Sequence, residues 1–266
     1  IFEGEYAVLK FNISDVNTGN PLAGRHPAAW MDLTASAAGN QEALSCQDQV
    51  KAYLSGTVDT RPLVNFNTYF ILALNDEATI SVIDPMIDVA GMTNLFTMMD
   101  LPATGADWVM NDDQTRLFVT MPEAGQVAVG DLEKFRIFDN IETGGRPVRL
   151  VFSPDGRYLW VGNDSDLSDE SGVTVIDPET LEVVAQIPTA AGHHELAFSA
   201  DGRYALITNG TAGSLSIIDA ETLSMVKDVE IGQEPLAIDV SSSNRDIYVA
   251  NAGDGTIAIL DGDRME

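Results

Sequence analysis

The sequence predicts an all-β protein, a β-propeller of four-stranded antiparallel blades, on the strength of two markers that recur in one register. The first is a Gly-led strand ending in aspartate, found in "ATISVIDPMID", "GQVAVGDLEKF", "GVTVIDPETLEVV", "GSLSIIDAETLSMV" and "GTIAILDGDRM". Its aspartates, Asp84, Asp131, Asp177, Asp219 and Asp261, stand 47, 46, 42 and 42 residues apart, which is the length of one four-stranded blade. The second comprises "NDDQTRLFVTM", "FSPDGRYLWVGN", "FSADGRYALITN" and "SSSNRDIYVAN", each a strand, a tight polar turn and a second strand.

Residues 1–40 lie outside this repeat. "YAVLKFNI" alternates like a strand, "DVNTGNPLAG" reads as a turn, and "RHPAAWMDL" opens another strand, so a small N-terminal β-sandwich-like element is expected. Its run F-x-I-x-D-x-x-TG-x-PL-x-G is similar to periplasmic immunoglobulin-like modules, some of them associated with copper handling. Residues 41–60 are expected to form a helical linker: Cys46, Val50, Tyr53 and Leu54 follow helical spacing between Asn40 as cap and Gly56. Cys46 is the single cysteine of the chain. That excludes an internal disulfide, a Cys-x-x-Cys-His haem attachment and a cysteine zinc cluster; a buried structural thiol is the plain reading, and a copper or redox role is the alternative.

The propeller is expected over residues 61–266. Asn163, Asn209 and Asn251 close the second strand of their repeats, where an asparagine can bond its own backbone and accept a turn conformation. The first repeat lacks its innermost strand unless "GTVDTRPL" supplies it, and the last stops after its third. The last three repeats resemble the YVTN-repeat β-propeller family, whose units read as SPDG-x-x-x-YVAN followed by xVxVIDxxTxxVV. That resemblance implies a seven- or eight-bladed ring, of which about five repeats are visible here. The rest of the ring is expected from a longer polypeptide, or else from a protein partner or second copy, since an open propeller leaves strand edges unpaired. The family includes surface-layer proteins, periplasmic binding propellers and propellers that hold haem d1. The resemblance therefore implies a periplasmic or extracellular location and leaves function open.

Forty-one acidic residues against 14 Lys+Arg give a net charge of −27. This field repels nucleic acid and anionic lipid. It suits a high-salt surface, divalent-ion sites, or a docking face for a basic redox protein such as a small cytochrome. No apolar run reaches the ~18–20 residues of a membrane helix.

Aligning the repeats places Gly105, Pro147, His193 and Pro235 at one position, Ala106, Val148, His194 and Leu236 at the next, and Asp107, Arg149, Glu195 and Ala237 after that. All stand where the chain enters the innermost strand, at a mouth of the central channel. Several blades converge there, each delivering a side chain from a rigid strand. Asp107, Arg149, His193, His194 and Glu195 are therefore the leading ligand site; the competing reading pairs Arg149 with Asp107 or Glu195 and lets the imidazoles cap the loop. In the family's haem-d1 propellers a histidine coordinates the iron, so the resemblance admits His193 or His194 as an axial ligand. Adjacent residues on a strand face opposite ways, so both could not hold one metal unless the loop curls.

Two further groups are weaker candidates. His26, Trp30 and Met31 combine an imidazole, a thioether and an indole face, which suit Cu(I), although an ordinary sandwich core explains Trp30 and Met31 equally well. Asp164, Asp166, Asp169 and Glu170 crowd the loop "GNDSDLSDESG", where alternate carboxylates could wrap Ca²⁺, but the run lacks the glycine and terminal glutamate of an EF-hand loop. Gly-x-Ser-x-Gly, phosphate-loop and His-Glu-x-x-His motifs are missing, so the reading leans away from an enzyme. It favours an extracytoplasmic binding or scaffold propeller, with a redox-associated propeller holding haem d1 or copper at the mouth as the alternative. Copper, calcium and haem are each admitted as cofactors and none is fixed.

Overall fold

The computed structural model describes residues 14, 18–19, 30–31, 64–65, 69–84, 94–167, 171–192 and 195–265. The chain divides into two compact units, Ile1–Tyr69 and Phe70–Glu266. In the first, β1 (Trp30–Met31) pairs antiparallel with β2 (Val64–Asn65). The linker helix expected over 41–60 lies outside the described residues.

The second unit is a succession of antiparallel sheets, each built from strands consecutive in sequence. Blade 1 holds β3 (Ile71–Leu74), β4 (Thr79–Asp84) and β5 (Asn94–Asp100). Blade 2 holds β6 (Trp108–Met110), β7 (Arg116–Met121), β8 (Gln126–Asp131) and β9 (Arg136–Glu142). Blade 3 holds β10 (Pro147–Phe152), β11 (Leu159–Asn163), β12 (Gly172–Ile176) and β13 (Val183–Pro188). Blade 4 holds β14 (Leu196–Phe198), β15 (Tyr204–Asn209), β16 (Ser214–Asp219) and β17 (Ser224–Glu230). Blade 5 holds β18 (Pro235–Val240), β19 (Ile247–Asn251) and β20 (Thr256–Leu260). Blades 2, 3 and 4 are four-stranded, while blades 1 and 5 have three strands each. No helix occurs among the described residues. The all-β propeller expected from the repeat is the observed fold.

The marker aspartates work as turn formers. Asp131 Oδ1 accepts from the backbone N–H groups of Glu133 and Lys134, both at 3.0 Å. Asp177, Asp219 and Asp261 repeat this two and three residues on. These bonds satisfy the amides of the turn leading out of each third strand. The residue closing that turn takes a left-handed backbone, with φ of 48° at Phe135, 63° at Leu181, 52° at Leu223 and 60° at Met265. Such a φ is costly for a bulky side chain. The Asp bonds and the packing of Leu181, Leu223 and Met265 on the core clusters hold them there.

Blades pack face to face through aliphatic seams. Ile80 and Val82 of blade 1 meet Leu117, Val119 and Met121 of blade 2. Val127 and Val129 then meet Leu159 and Val161, Val173 and Val175 meet Ala205 and Ile207, and Leu215 and Ile217 meet Ile247 and Val249. Because both faces of an inner blade are covered, β12 and β16 are buried almost throughout, which is why they read as near-continuous apolar runs and not as alternating ones.

Candidate functional site

At each blade the chain leaves the outermost strand, crosses one end of the molecule and enters the next innermost strand. Two of these crossings are pinned by close approach to the neighbouring hairpin. Gly192 has φ of 113°, and a Cβ there would lie 2.0 Å from the amide nitrogen of Thr211; Gly232 has φ of 136°, and a Cβ would lie 2.3 Å from Asn251 Nδ2. Only glycine fits either place. The entry position is thereby fixed on a rigid support.

The entries alternate. In blades 2 and 4 the residue is acidic and the facing strand supplies a buried threonine: Asp107 N donates to Thr120 Oγ1 and Glu195 N to Thr208 Oγ1, each at 2.9 Å. Thr120 N and Thr208 N return bonds to the carbonyls of Asp107 and Glu195. In blades 3 and 5 a proline, Pro147 or Pro235, starts the strand. A register shift follows, and Arg149 and Ala237 then pair with Gly162 and Ala250.

Three of the five leading site residues are described, and they form a chain across blades. Leu150 N of blade 3 donates to Asp107 Oδ2 of blade 2 at 3.2 Å. Arg149 Nε of blade 3 donates to Glu195 Oε2 of blade 4 at 3.0 Å. Arg149 Nη1 also reaches the Val148 carbonyl at 3.4 Å. Of the two pairings open in the sequence, Arg149 takes Glu195, and Asp107 takes a backbone amide. Half-buried, with side-chain exposures of 36% and 29%, Arg149 and Glu195 stitch blade 3 to blade 4 where the chain enters their first strands. His193 and His194, between Gly192 and Glu195, lie outside the described residues.

Asp164 and Asp166 stand beside the same end of the molecule. Arg146 Nη1 donates to Asp164 Oδ2 at 3.1 Å, and Thr211 Oγ1 to Asp166 Oδ1 at 3.3 Å. Asp169 and Glu170 lie outside the described residues. A cleft of about 830 Å³ opens between blades 3, 4 and 5, with Asp164, Asp166, Glu230 and Glu234 on its walls. Among the described residues no group of three or more His, Cys, Asp or Glu side chains is placed to hold a metal ion. His26 lies outside the described residues, and Trp30 and Met31 are described only as the strand β1.

The asparagines differ from the sequence expectation. They sit in strands and bond across the hairpin, not to their own backbone. Asn163 Nδ2 donates to Thr174 Oγ1, which donates to the Thr143 carbonyl, both at 2.9 Å. Asn209 Nδ2 donates at 2.8 Å to Ser216 Oγ, which donates to Asp228. Asn251 Nδ2 donates to Thr256 Oγ1 at 3.1 Å, and that hydroxyl donates to Asp254 at 2.6 Å. Each hydroxyl spends its proton onward, which fixes the orientation of each amide. Among the described residues, the three Oδ1 atoms are buried without a hydrogen-bond donor. A hydroxyl residue in the facing strand, at Thr174, Ser216 and Thr256, was the sequence signal for these relays.

Successive antiparallel sheets joined by four aliphatic seams define a β-propeller, and comparison with known proteins agrees. The family described as Cytochrome D1 heme domain matches residues 167–266, so the chain is a propeller-type protein whose later blades carry that family's pattern. Among solved structures it is similar to the hydrazine synthase of Kuenenia stuttgartiensis, at 17% identity and a TM-score of 0.55, covering 73% of this chain and 62% of that one. It is also similar to the dihydro-heme d1 dehydrogenase NirN in complex with DHE, at 17% identity and a TM-score of 0.59, covering 75% of this chain and 43% of that one. A functionally unknown protein of Desulfotomaculum acetoxidans DSM 771 matches at 16% identity and a TM-score of 0.52, over 74% of this chain and 70% of that one. No curated protein matches. At these identities the structural likenesses establish the fold alone.

Proposed function

We propose that the protein is an extracytoplasmic propeller that binds a ligand at the channel mouth, where the chain enters its innermost strands. The cross-blade chain of Asp107, Leu150, Arg149 and Glu195 carries this reading. It pins the entries of blades 2, 3 and 4 to one another, and so gives any ligand group on the adjoining loop a rigid base. In this reading Arg149 and Glu195 position the entry of their blades, and His193 and His194, between Gly192 and Glu195 in sequence, are the proposed ligand-binding residues. No catalytic step is assigned.

The match to the Cytochrome D1 heme domain over residues 167–266 favours a second reading, a redox-associated propeller with a haem-type group at that mouth. The described residues alone do not make a haem pocket. Both arginines at this end are engaged by carboxylates, Arg149 by Glu195 and Arg146 by Asp164, and the adjoining cleft has acidic walls that disfavour a carboxylate-bearing macrocycle. The acidic walls of the cleft suit a cationic ligand better. Copper or calcium held by the remaining candidates, and a basic redox protein as partner, stay within this proposal.

The visible absorption spectrum and metal content of protein purified from its native source test the choice. A Soret band lost in the His193→Ala/His194→Ala variant establishes the haem reading. Stoichiometric metal lost in that variant, without a Soret band, establishes the metal reading. Protein that carries neither and binds neither on titration overturns the mouth as a cofactor site.

A further inference from the structure

A pocket of about 290 Å³ opens where the crossing from blade 2 to blade 3 passes the ends of β11, β12 and β13. Asn163 stands on its wall at 5% exposure, and the Oδ1 of that side chain has no donor among the described residues. No charged side chain occurs among the described lining residues. Gly144 and Gln186 are exposed at the rim. Gly144 has φ of 77°, and a Cβ there would lie 2.9 Å from Gln186 Nε2, so a glycine at this place leaves room for the glutamine amide.

Hydrogen bonds give this pocket a direction. Each hydroxyl and amide side chain on its wall donates to another protein group: Thr143 Oγ1 to the Gly125 carbonyl, Ser171 Oγ to the Ser165 carbonyl, Asn163 Nδ2 to Thr174 Oγ1, and both Thr174 Oγ1 and Gln186 Nε2 to the Thr143 carbonyl. These bonds fix the orientation of the two amides. They leave Asn163 Oδ1 and Gln186 Oε1 as acceptors with no donor among the described residues. Blade 4 is built differently: Ser216 and Asp228 stand where blade 3 has Thr174 and Gln186, and Ser216 donates to the Asp228 carboxylate.

We propose that this pocket, separate from the channel mouth, binds the primary ammonium group of a small aliphatic amine. An ammonium carries three donors and no acceptor, so it satisfies both amide oxygens and brings no acceptor of its own. A carboxylate or phosphate would set its oxygens against those of Asn163 and Gln186. A neutral amide or alcohol can donate to them, but it also buries an acceptor for which the wall's hydroxyls, already donating elsewhere, have no proton to give. Hydrogen bonds with one ionised partner are the stronger kind, and the chain's net charge of −27 raises the concentration of cations around it. The exposed rim at Gln186 lets the ammonium keep part of its hydration, which limits the cost of taking a charge out of water.

Titration of the full chain with n-butylammonium, followed by the NMR signals of the Asn163 and Gln186 side-chain NH2 groups, tests the assignment. Both signals should shift saturably, and added salt should weaken the binding. Tetramethylammonium, which carries the same charge and no N–H, should leave them in place. Gln186→Leu, followed at Asn163, should weaken binding about tenfold or more, whereas Gln186→Glu, which keeps an accepting oxygen and adds a charge, should strengthen it. Opposite changes from one exposed position cannot come from misfolding. Asp228→Asn, at the matching position of blade 4, should leave binding unchanged. The proposal is overturned by a chain that shows no saturable shift, by equal shifts with tetramethylammonium, or by shifts confined to Asp164, Asp166, Glu230 and Glu234 in the acidic cleft. Affinity unchanged in Gln186→Leu overturns it too, as does affinity lost in both Gln186 variants.

Discussion

Blades 4 and 5 carry nearly the same sequence pattern, "GSLSIID" and "GTIAILD", and both pair their second and third strands in the same register. In blade 4 the third strand is buried in all but its last residue, while in blade 5 most of it is exposed. Backbone geometry therefore follows from the local pattern of β-branched residues and turns. Burial, and with it most of the stabilising energy, follows from the presence of the next blade. A blade is a complete unit of topology and an incomplete unit of stability.

The sharpest way to break this comparison is to truncate the same position in both blades. Ile217→Ala, in the seam between blades 4 and 5, should cost about 2–5 kcal/mol through lost burial and a cavity. Ile259→Ala should stay within about 0.5 kcal/mol when measured on the monomer. Chemical denaturation of the two variants at high dilution checks the pair. Equal losses would show that the exposed face of blade 5 is packed in solution even at that dilution.

Next in size is the asparagine relay, which serves both blades. Asn209→Ala removes the bonds to Ser214 and Ser216 inside a site at 0% exposure, and about 1–3 kcal/mol should be lost because the hydroxyls are left without a donor. Asn251→Ala should cost a similar amount, although its blade is open on one face, because its bonds to Ile231 and Thr256 lie within the hairpin and the adjoining crossing. A much smaller loss at Asn251 would show that the relay depends on the seam and not on the hairpin. Thermal unfolding of both variants decides this.

What could be read in the sequence divides along the same line. Asp131, Asp177, Asp219 and Asp261 were legible because a short-range rule, an aspartate accepting from amides two and three residues on, creates the turn. The seams were legible as apolar runs. The partners of Asn163, Asn209 and Asn251 were not: their bonds run between strands, and turn preference alone pointed back to their own backbone. Nor were the left-handed conformations at Phe135, Leu181 and Leu223, since no propensity puts bulky residues there. At the site, alignment of the repeats brought Asp107, Arg149 and Glu195 to one level, whereas the choice of Glu195 by Arg149 depends on the angle between adjacent blades. Trp30 and Met31 share a strand, and His26, Asp169, Glu170, His193 and His194 fall outside the described residues.

A smaller effect separates the entry of blade 3 from that of blade 5. Arg149→Ala makes the blade 3 entry resemble blade 5, where Ala237 holds the same position. Because Arg149 and Glu195 are only half-buried, the loss should be about 0.2–1 kcal/mol and should shrink in high salt. A salt titration of the stability difference measures it. A loss several times larger, unaffected by salt, would mean that the guanidinium holds blades 3 and 4 together by packing and not by charge.

The smallest effect concerns the turns, and it sharpens the contrast between local and inter-blade order. The amides of Thr180 and then Glu179 donate to the Asp177 carboxylate and hold it below its ordinary value of 3.8. The amide of Thr222 leads the same effect at Asp219, against a smaller opposing push from burial. A carboxyl that binds its proton less tightly in the folded chain than in the unfolded chain contributes stability that is whole above the unfolded value. That contribution is lost as the pH falls through 3.8 toward the lower folded value. Asp177→Asn and Asp219→Asn keep an oxygen that accepts from the same amides but cannot titrate. The double variant should therefore match the wild type more closely as the pH falls below 3.8, having been slightly less stable at neutral pH. Unfolding measured from pH 7 to about 2.5 follows the two curves across that window. Parallel curves would show that these turns contribute nothing through ionisation, and that other carboxylates set the acid sensitivity.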